Sequence, residues 1–181
     1  MIGYELLRHD NGAFAFAERN DLRRCVECGH LLAKWQESLA GLKIPRKRKS
    51  DISLTYDGLT VMSQKFKDVC KANQLEGTVF AELPDDPGFF AFASNIIVSI
   101  DAEQGGVRYE TKCSACGKFA WVGRPHPVIL KKGSNIPDRG FAQSDLEFAH
   151  KDEKCPMIFC GMTAAQILRQ AGLKGLDLRP L

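Results

Sequence analysis

Cys25-Val26-Glu27-Cys28-Gly29 and Cys113-Ser114-Ala115-Cys116-Gly117 repeat one short pattern, C-x-x-C-G. In such a knuckle a tight turn aims two thiolates at one cation, and the glycine takes a backbone conformation that a side chain would hinder. Two knuckles supply four sulfurs, a complete tetrahedral site for Zn2+. A closed four-thiolate site leaves no position for water or substrate, so this chemistry is architectural rather than catalytic. A compact zinc ribbon separates its cysteine pairs by roughly 15–20 residues, and the gap from Cys28 to Cys113 is far longer. The metal would therefore tie distant parts of the chain together, removing unfolded-state entropy. A redox-active dithiol is the competing reading of one C-x-x-C, but neither pair has thioredoxin-like surroundings.

The remaining cysteines carry less. Cys70 falls in a helical stretch and reads as a small buried apolar residue. Cys155 and Cys160 could form a second metal pair, but the plainer reading gives them no joint role. His30 follows the first knuckle and reads as a flanking polar group rather than a replacement for a sulfur. Seven cysteines, an odd number, and no secretory leader in the stretch from Met1 to Arg8 argue for a reducing, cytoplasmic setting. Nothing in the chain approaches the roughly 18 apolar residues of a membrane span.

The elements that must position the knuckles follow from local patterning. With 181 residues, 44% hydrophobic and 26% charged, the chain can bury a core of its own. Extended segments are expected at Phe14–Phe16, Ile52–Tyr56, Phe89–Phe92, Ile96–Ile100, Val107–Thr111 and Phe119–Val122, the second knuckle being a turn between the last two. Asp145–Phe148 alternates like an edge or half-exposed strand, 133–140 reads as a surface loop, and Leu31–Leu39 has helical spacing. Met62-Ser63, a helical stretch, then Leu75-Glu76-Gly77 and a strand is echoed by Met162-Thr163, a helical stretch, then Leu173-Lys174-Gly175 and a strand. In each, Ser63 or Thr163 would cap the helix and the glycine would reverse the chain. The expected fold is α+β, mainly antiparallel strands with a few helices: one domain, 1–181, built of two related halves, 1–88 and 89–181, joined by the four-cysteine site.

No catalytic constellation emerges. The four histidines are scattered, and neither a zincin motif nor a phosphate-binding glycine loop is present. Lys43, Arg46, Lys47, Arg48 and Lys49 form a basic run that could grip phosphates, but no aromatic residues interleave to stack on bases and the formal charge is only +3. A zinc-stabilised nucleic-acid-binding or regulatory module using this run is the alternative function; a thiol oxidoreductase is a third.

The doubled motif at Cys25, Cys28, Gly29 and Cys113, Cys116, Gly117 resembles the double-CxxCG family of immunity proteins associated with bacterial polymorphic toxins. So does the tail from Asp145-Leu146-Glu147-Phe148 through Leu168 and Ala171–Leu176 to Pro180-Leu181. The resemblance implies a non-enzymatic protein whose partner is one cognate toxin, blocked at its active site or its substrate access; with no export signal in the sequence, that toxin is expected to act inside the cell. A nuclease is the favoured toxin, and nuclease inhibitors present acidic groups that steer association. The candidate acidic contacts are Asp85 and Asp86 in one turn, and Asp145, Glu147, Asp152 and Glu153 in another region.

Overall fold

The computed structural model describes residues 2–17 and 19–181. Met1, from the stretch read for a leader, lies outside them, and Arg46 of the basic run is described in its backbone alone. Among the described residues, eleven strands and two nine-residue helices follow in the order β1 (Tyr4–Leu7), β2 (Ile52–Leu54), β3 (Thr60–Ser63), α1 (Gln64–Ala72), β4 (Val79–Glu82), β5 (Phe89–Ala93) and β6 (Ile97–Val98), then β7 (Tyr109–Lys112), β8 (Phe119–Val122), β9 (Phe141–His150), β10 (Cys155–Cys160), α2 (Met162–Gln170) and β11 (Asp177–Pro180). A four-stranded sheet runs β2-β3-β5-β4, and a larger sheet runs β11-β1-β10-β9-β8-β7, with β6 beside β9. All neighbours are antiparallel except β6 and β9. The α+β expectation holds, with the four cysteines joining the two regions.

The topology repeats, and the repeats are interlaced. Each helix links two parallel strands with a third, antiparallel strand between them: β5 lies between β3 and β4, and β1 between β10 and β11. The middle strand comes from the other half of the chain each time, so a cut between residues 88 and 89 would remove β5 from the strands it pairs with.

The helix ends cross over as well. The Ser63 hydroxyl caps α1 by accepting from the Phe66 amide at 3.2 Å and donates to Asp51, whose other oxygen accepts from the Lys174 amide beyond α2. After α1, Glu76 exchanges backbone bonds with Arg139 and Phe141 at the start of β9. Gly77 and Gly175 hold φ of 71° and 80°, and a β-carbon on either would lie within 2.6 Å of a carbonyl oxygen of the opposite sheet, Phe141 or Ile52. Glycine is thus required at both turns for φ and for space.

Both helices face one core, where Phe66, Cys70, Ala164, Ala165 and Leu168 pack with residues of both sheets. Phe66, Phe80, Phe92 and Phe141 form its aromatic centre, with ring centroids 5.3 to 6.3 Å apart. A second core lies under the segment from Ala13 to Ile44, and a third lies on the far face of the larger sheet.

Several local expectations need correction. Leu31–Leu39 contains one 3-10 turn, Lys34–Gln36, instead of a helix. The backbone at Leu31 is committed to a bridge with Arg24, its amide donates to Asp152, and Leu32 and Trp35 are exposed, so no buried helical stripe exists. Phe14–Phe16 forms no strand, because the amides of Ala15, Phe16 and Ala17 all turn onto the Asp57 carboxylate at 2.6 to 3.0 Å. Thr163 is not the cap of α2; Gly161 holds that position, and Asp138 receives both the amide and the hydroxyl of Thr163. Ile96–Ile100 shrinks to β6 with an isolated bridge from Ile100 to Leu130. Asp145–Phe148, by contrast, is the half-exposed strand expected, part of the ten-residue β9.

Candidate metal centre

The two knuckles have the same backbone. In the first, the Cys25 amide donates to the His30 carbonyl and the Gly29 amide to the Cys25 carbonyl, both at 2.8 Å; in the second, Cys113 to Lys118 and Gly117 to Cys113 repeat this at 2.9 Å. Gly29 and Gly117 take φ of 74° and 72°, the left-handed conformation that closes each turn. The second knuckle is the turn between β7 and β8, while the first is closed by the single bridge from Arg24 to Leu31.

Folding brings the four sulfurs of Cys25, Cys28, Cys113 and Cys116 within 4.8 Å of one another. Cys25 and Cys113 are separated by 3.8 Å between sulfurs, Cys28 and Cys116 by 3.5 Å. Four thiolates around one zinc, each at about 2.3 Å, would sit about 3.8 Å apart, so the donor set fits a tetrahedral cation. Sulfurs this close cannot all ionise without one. Amides of Cys28 and Glu27 lower the Cys25 thiol to about 7; the His30 amide also favours the Cys28 thiolate, yet desolvation and the neighbouring sulfurs push that thiol up to about 12. A divalent cation removes this conflict. Ser114 adds a link across the centre, donating to Glu27 at 3.0 Å.

Behind the sulfurs lies a support that the sequence did not disclose. His30 is 2% exposed, with Nδ1 3.1 Å from Cys28 Sγ and Nε2 3.0 Å from Lys154 Nζ. A lysine ammonium can only donate, so Nε2 accepts and the proton on Nδ1 points at the sulfur. His30 is thus a partner to a ligand, more than the flanking group its position implied. The turn 151–153 braces the same knuckle: Asp152 accepts from the Leu31 amide at 2.9 Å and from Arg24 at 2.5 Å, while Lys34 donates to the Asp152 and Lys154 carbonyls. Nothing in local spacing links residue 30 with residue 154.

The acidic candidates separate into different roles. Asp86 is buried, accepts from the Ile44 amide and pairs with Lys49 at 2.6 Å, and Asp85 accepts from the Gly41 amide. These two anchor the 41–49 loop. Lys49 of the basic run is consumed there and lies over the Phe89 ring. Asp145 and Glu147 instead stand together on β9, at the junction of a cleft of about 430 Å3 beside the metal centre and one of about 790 Å3 between the sheets. Asp152 lines the smaller cleft, and Glu153 is half-buried in the adjoining turn. Glu147 accepts from the Trp35 indole N–H, which straps the junction.

Cys155 and Cys160 occupy opposite ends of β10, about 16 Å apart at strand rise, and cannot share a metal. Burial pushes Cys70 and Cys160 up to about 12, as inert apolar thiols. Among the described residues, the four knuckle cysteines are the one group of three or more metal-ligating side chains. None of the seven cysteines is in a disulfide, and no described helix is long and apolar enough to cross a membrane. The chain matches no family model, no curated protein and no solved structure.

Proposed function

We propose that this chain is an immunity protein of the double-CxxCG kind, binding and neutralising one cognate bacterial toxin in the cytoplasm as a stoichiometric, non-enzymatic inhibitor. The carrying observation is the paired knuckles: their C-x-x-C-G motifs bear the resemblance, and their four sulfurs converge at separations suited to a closed thiolate site. We read the metal as structural Zn2+. Four thiolates complete its coordination, so its contribution is to hold the two halves in register rather than to activate water. Cys25, Cys28, Cys113 and Cys116 would hold it, and His30 would orient Cys28. The toxin favoured is a nuclease, since the carboxylates of the central clefts offer a surface for a cationic partner.

The test is affinity capture of the tagged chain from its own host, with metal measured on the same sample. One dominant protein partner at equal stoichiometry, with about one zinc per chain, is the expected result. Recovery of nucleic acid released by modest salt would favour the module built on Lys43–Lys49. A metal-free, redox-active dithiol would favour the oxidoreductase.

A further inference from the structure

The larger cleft lies against one face of β4 and β5, and comparison with the equivalent pair β11 and β1 shows what is unusual there. In β4 and β5, Phe80 faces Phe92 in the core, so their neighbours Val79, Ala81, Ala91 and Ala93 point the other way, toward the cleft. In β11 and β1, the equivalent middle pair is Leu178 opposite Leu6, and the outward pair beside it is Arg179 opposite Glu5. Glu5 is 1% exposed and pairs with Arg124; each sheet carries a core on this face, but the one on the four-stranded sheet reaches Val61 and Ala91 without including Val79 or Ala81 of β4. The four-stranded sheet has alanines, Ala81 opposite Ala91, where the larger sheet has the charged residues Arg179 and Glu5. Its face is left open at β4: Trp35, Val79 and Ile97, on three different segments around the cleft, are each 44 to 48% exposed or, for Ile97, 54% exposed.

Two further properties define what fits. Among the described residues β4 pairs only with β5, which leaves its other edge open to a strand. The rim is acidic in a chain of net charge +3: Glu37, Glu82, Asp145 and Glu147 line the cleft, and its one lysine, Lys34, is spent on two carbonyls. We propose that this cleft is the toxin-docking site, receiving an extended basic segment of the toxin along the free edge of β4. The inference rests on the immunity reading and deepens it. Main-chain bonds to β4 would supply affinity, side chains entering over the alanine floor would supply fit, and lysines or arginines would meet the carboxylates. A toxin that grips an anionic substrate carries such cationic segments at its substrate channel, so docking them here would close that channel.

The test uses the protein encoded beside this chain's gene, purified in an inactive form, and titrated calorimetrically against wild type, Val79→Lys/Glu82→Lys and Lys43→Glu/Lys47→Glu. Both altered pairs lie at exposed positions, so melting temperature and metal content serve as checks of folding. Wild type should bind one to one, the cleft variant about 100-fold more weakly, and the basic-run variant unchanged. Amides of residues 79–82 should exchange more slowly in the complex than in the free protein. Wild-type affinity in the cleft variant, with no slowing of those amides, overturns the docking site and leaves the immunity reading standing. Failure of the wild type to bind overturns the immunity reading and the docking site with it.

Discussion

Removing the metal should cost this protein a large part of its stability, and the size of the loss follows from the chain's connectivity. The centre joins Cys25 to Cys113 and Cys28 to Cys116, each 88 positions apart. A permanent cross-link closing a loop of that length is worth about 15 cal/mol/K, or about 4–5 kcal/mol at 25 °C, and cation binding by the folded site alone should contribute at least as much. For a protein of this size about 1 kcal/mol corresponds to about 2–4 °C, so stripping the metal should lower the melting temperature by about 10–20 °C. The assay is calorimetry on metal-loaded protein, chelator-stripped protein and Cys113→Ser, with released zinc quantified. Cys155→Ser, which alters a thiol outside the centre, should retain the metal. A stripped protein that melts within about 2 °C of the loaded one would refute the reasoning, because a cation held only by the folded site stabilises that state by its binding free energy.

Three other substitutions probe the supports. Asp57→Ala should destabilise the fold by about 3–5 kcal/mol in urea titrations, since it strands buried amides at Ala15 and Phe16 and the Thr55 hydroxyl. His30→Ala should weaken metal affinity by about 10–100-fold in competition with a chromogenic chelator, as expected when a ligand loses its orienting partner. Asp152 is held below the usual carboxylate range: burial opposes this, but the Leu31 amide and Arg24 outweigh it. Its contribution is therefore complete above the unfolded value near 3.8 and is lost as pH falls through the lower folded value. Urea midpoints measured across that acid window should fall less steeply for Asp152→Asn than for wild type. Equal slopes would show that Asp152 does not contribute this pH dependence.

The knuckles were legible because their chemistry is local: two cysteines, two spacers and a glycine define each turn without help from the rest of the fold. Strands such as β5 and β8 were legible for the same reason, through clustered aromatic and β-branched residues. What escaped the sequence was set at long range. Asp57 redirects a segment some 40 positions away, which an alternating pattern at Phe14–Phe16 cannot anticipate. Leu31–Leu39 has the spacing of a helix, but its leading amide is taken by Asp152, 121 positions later. The α2 cap failed similarly: Thr163 has the right chemistry, yet Asp138 engages its amide and hydroxyl from outside the helix. Asp85 and Asp86 looked available in a Pro-flanked turn, and only the fold reveals the amides of Gly41 and Ile44 that occupy them.

The interlacing explains why the four-cysteine site lies where it does. First cysteine lies beside first cysteine and second beside second across the centre, the arrangement that a two-fold relation between the halves produces. The exchanged strands β1 and β5 and the crossed contacts of Asp51, Glu76, Asp138 and Lys174 obey the same relation. These contacts couple the helices and sheets, but the knuckles lie beyond them, the first on a segment with little regular structure and the second on the β7–β8 turn. A cation at that junction fixes both segments with one set of bonds. The first of them carries Lys34–Gln36 and the strap from Trp35 to Glu147, so a cation held there would also set one wall of the open cleft. Architectural metal and candidate docking surface are therefore mechanically linked: loosening the centre would deform the surface without any ligand cysteine touching a partner.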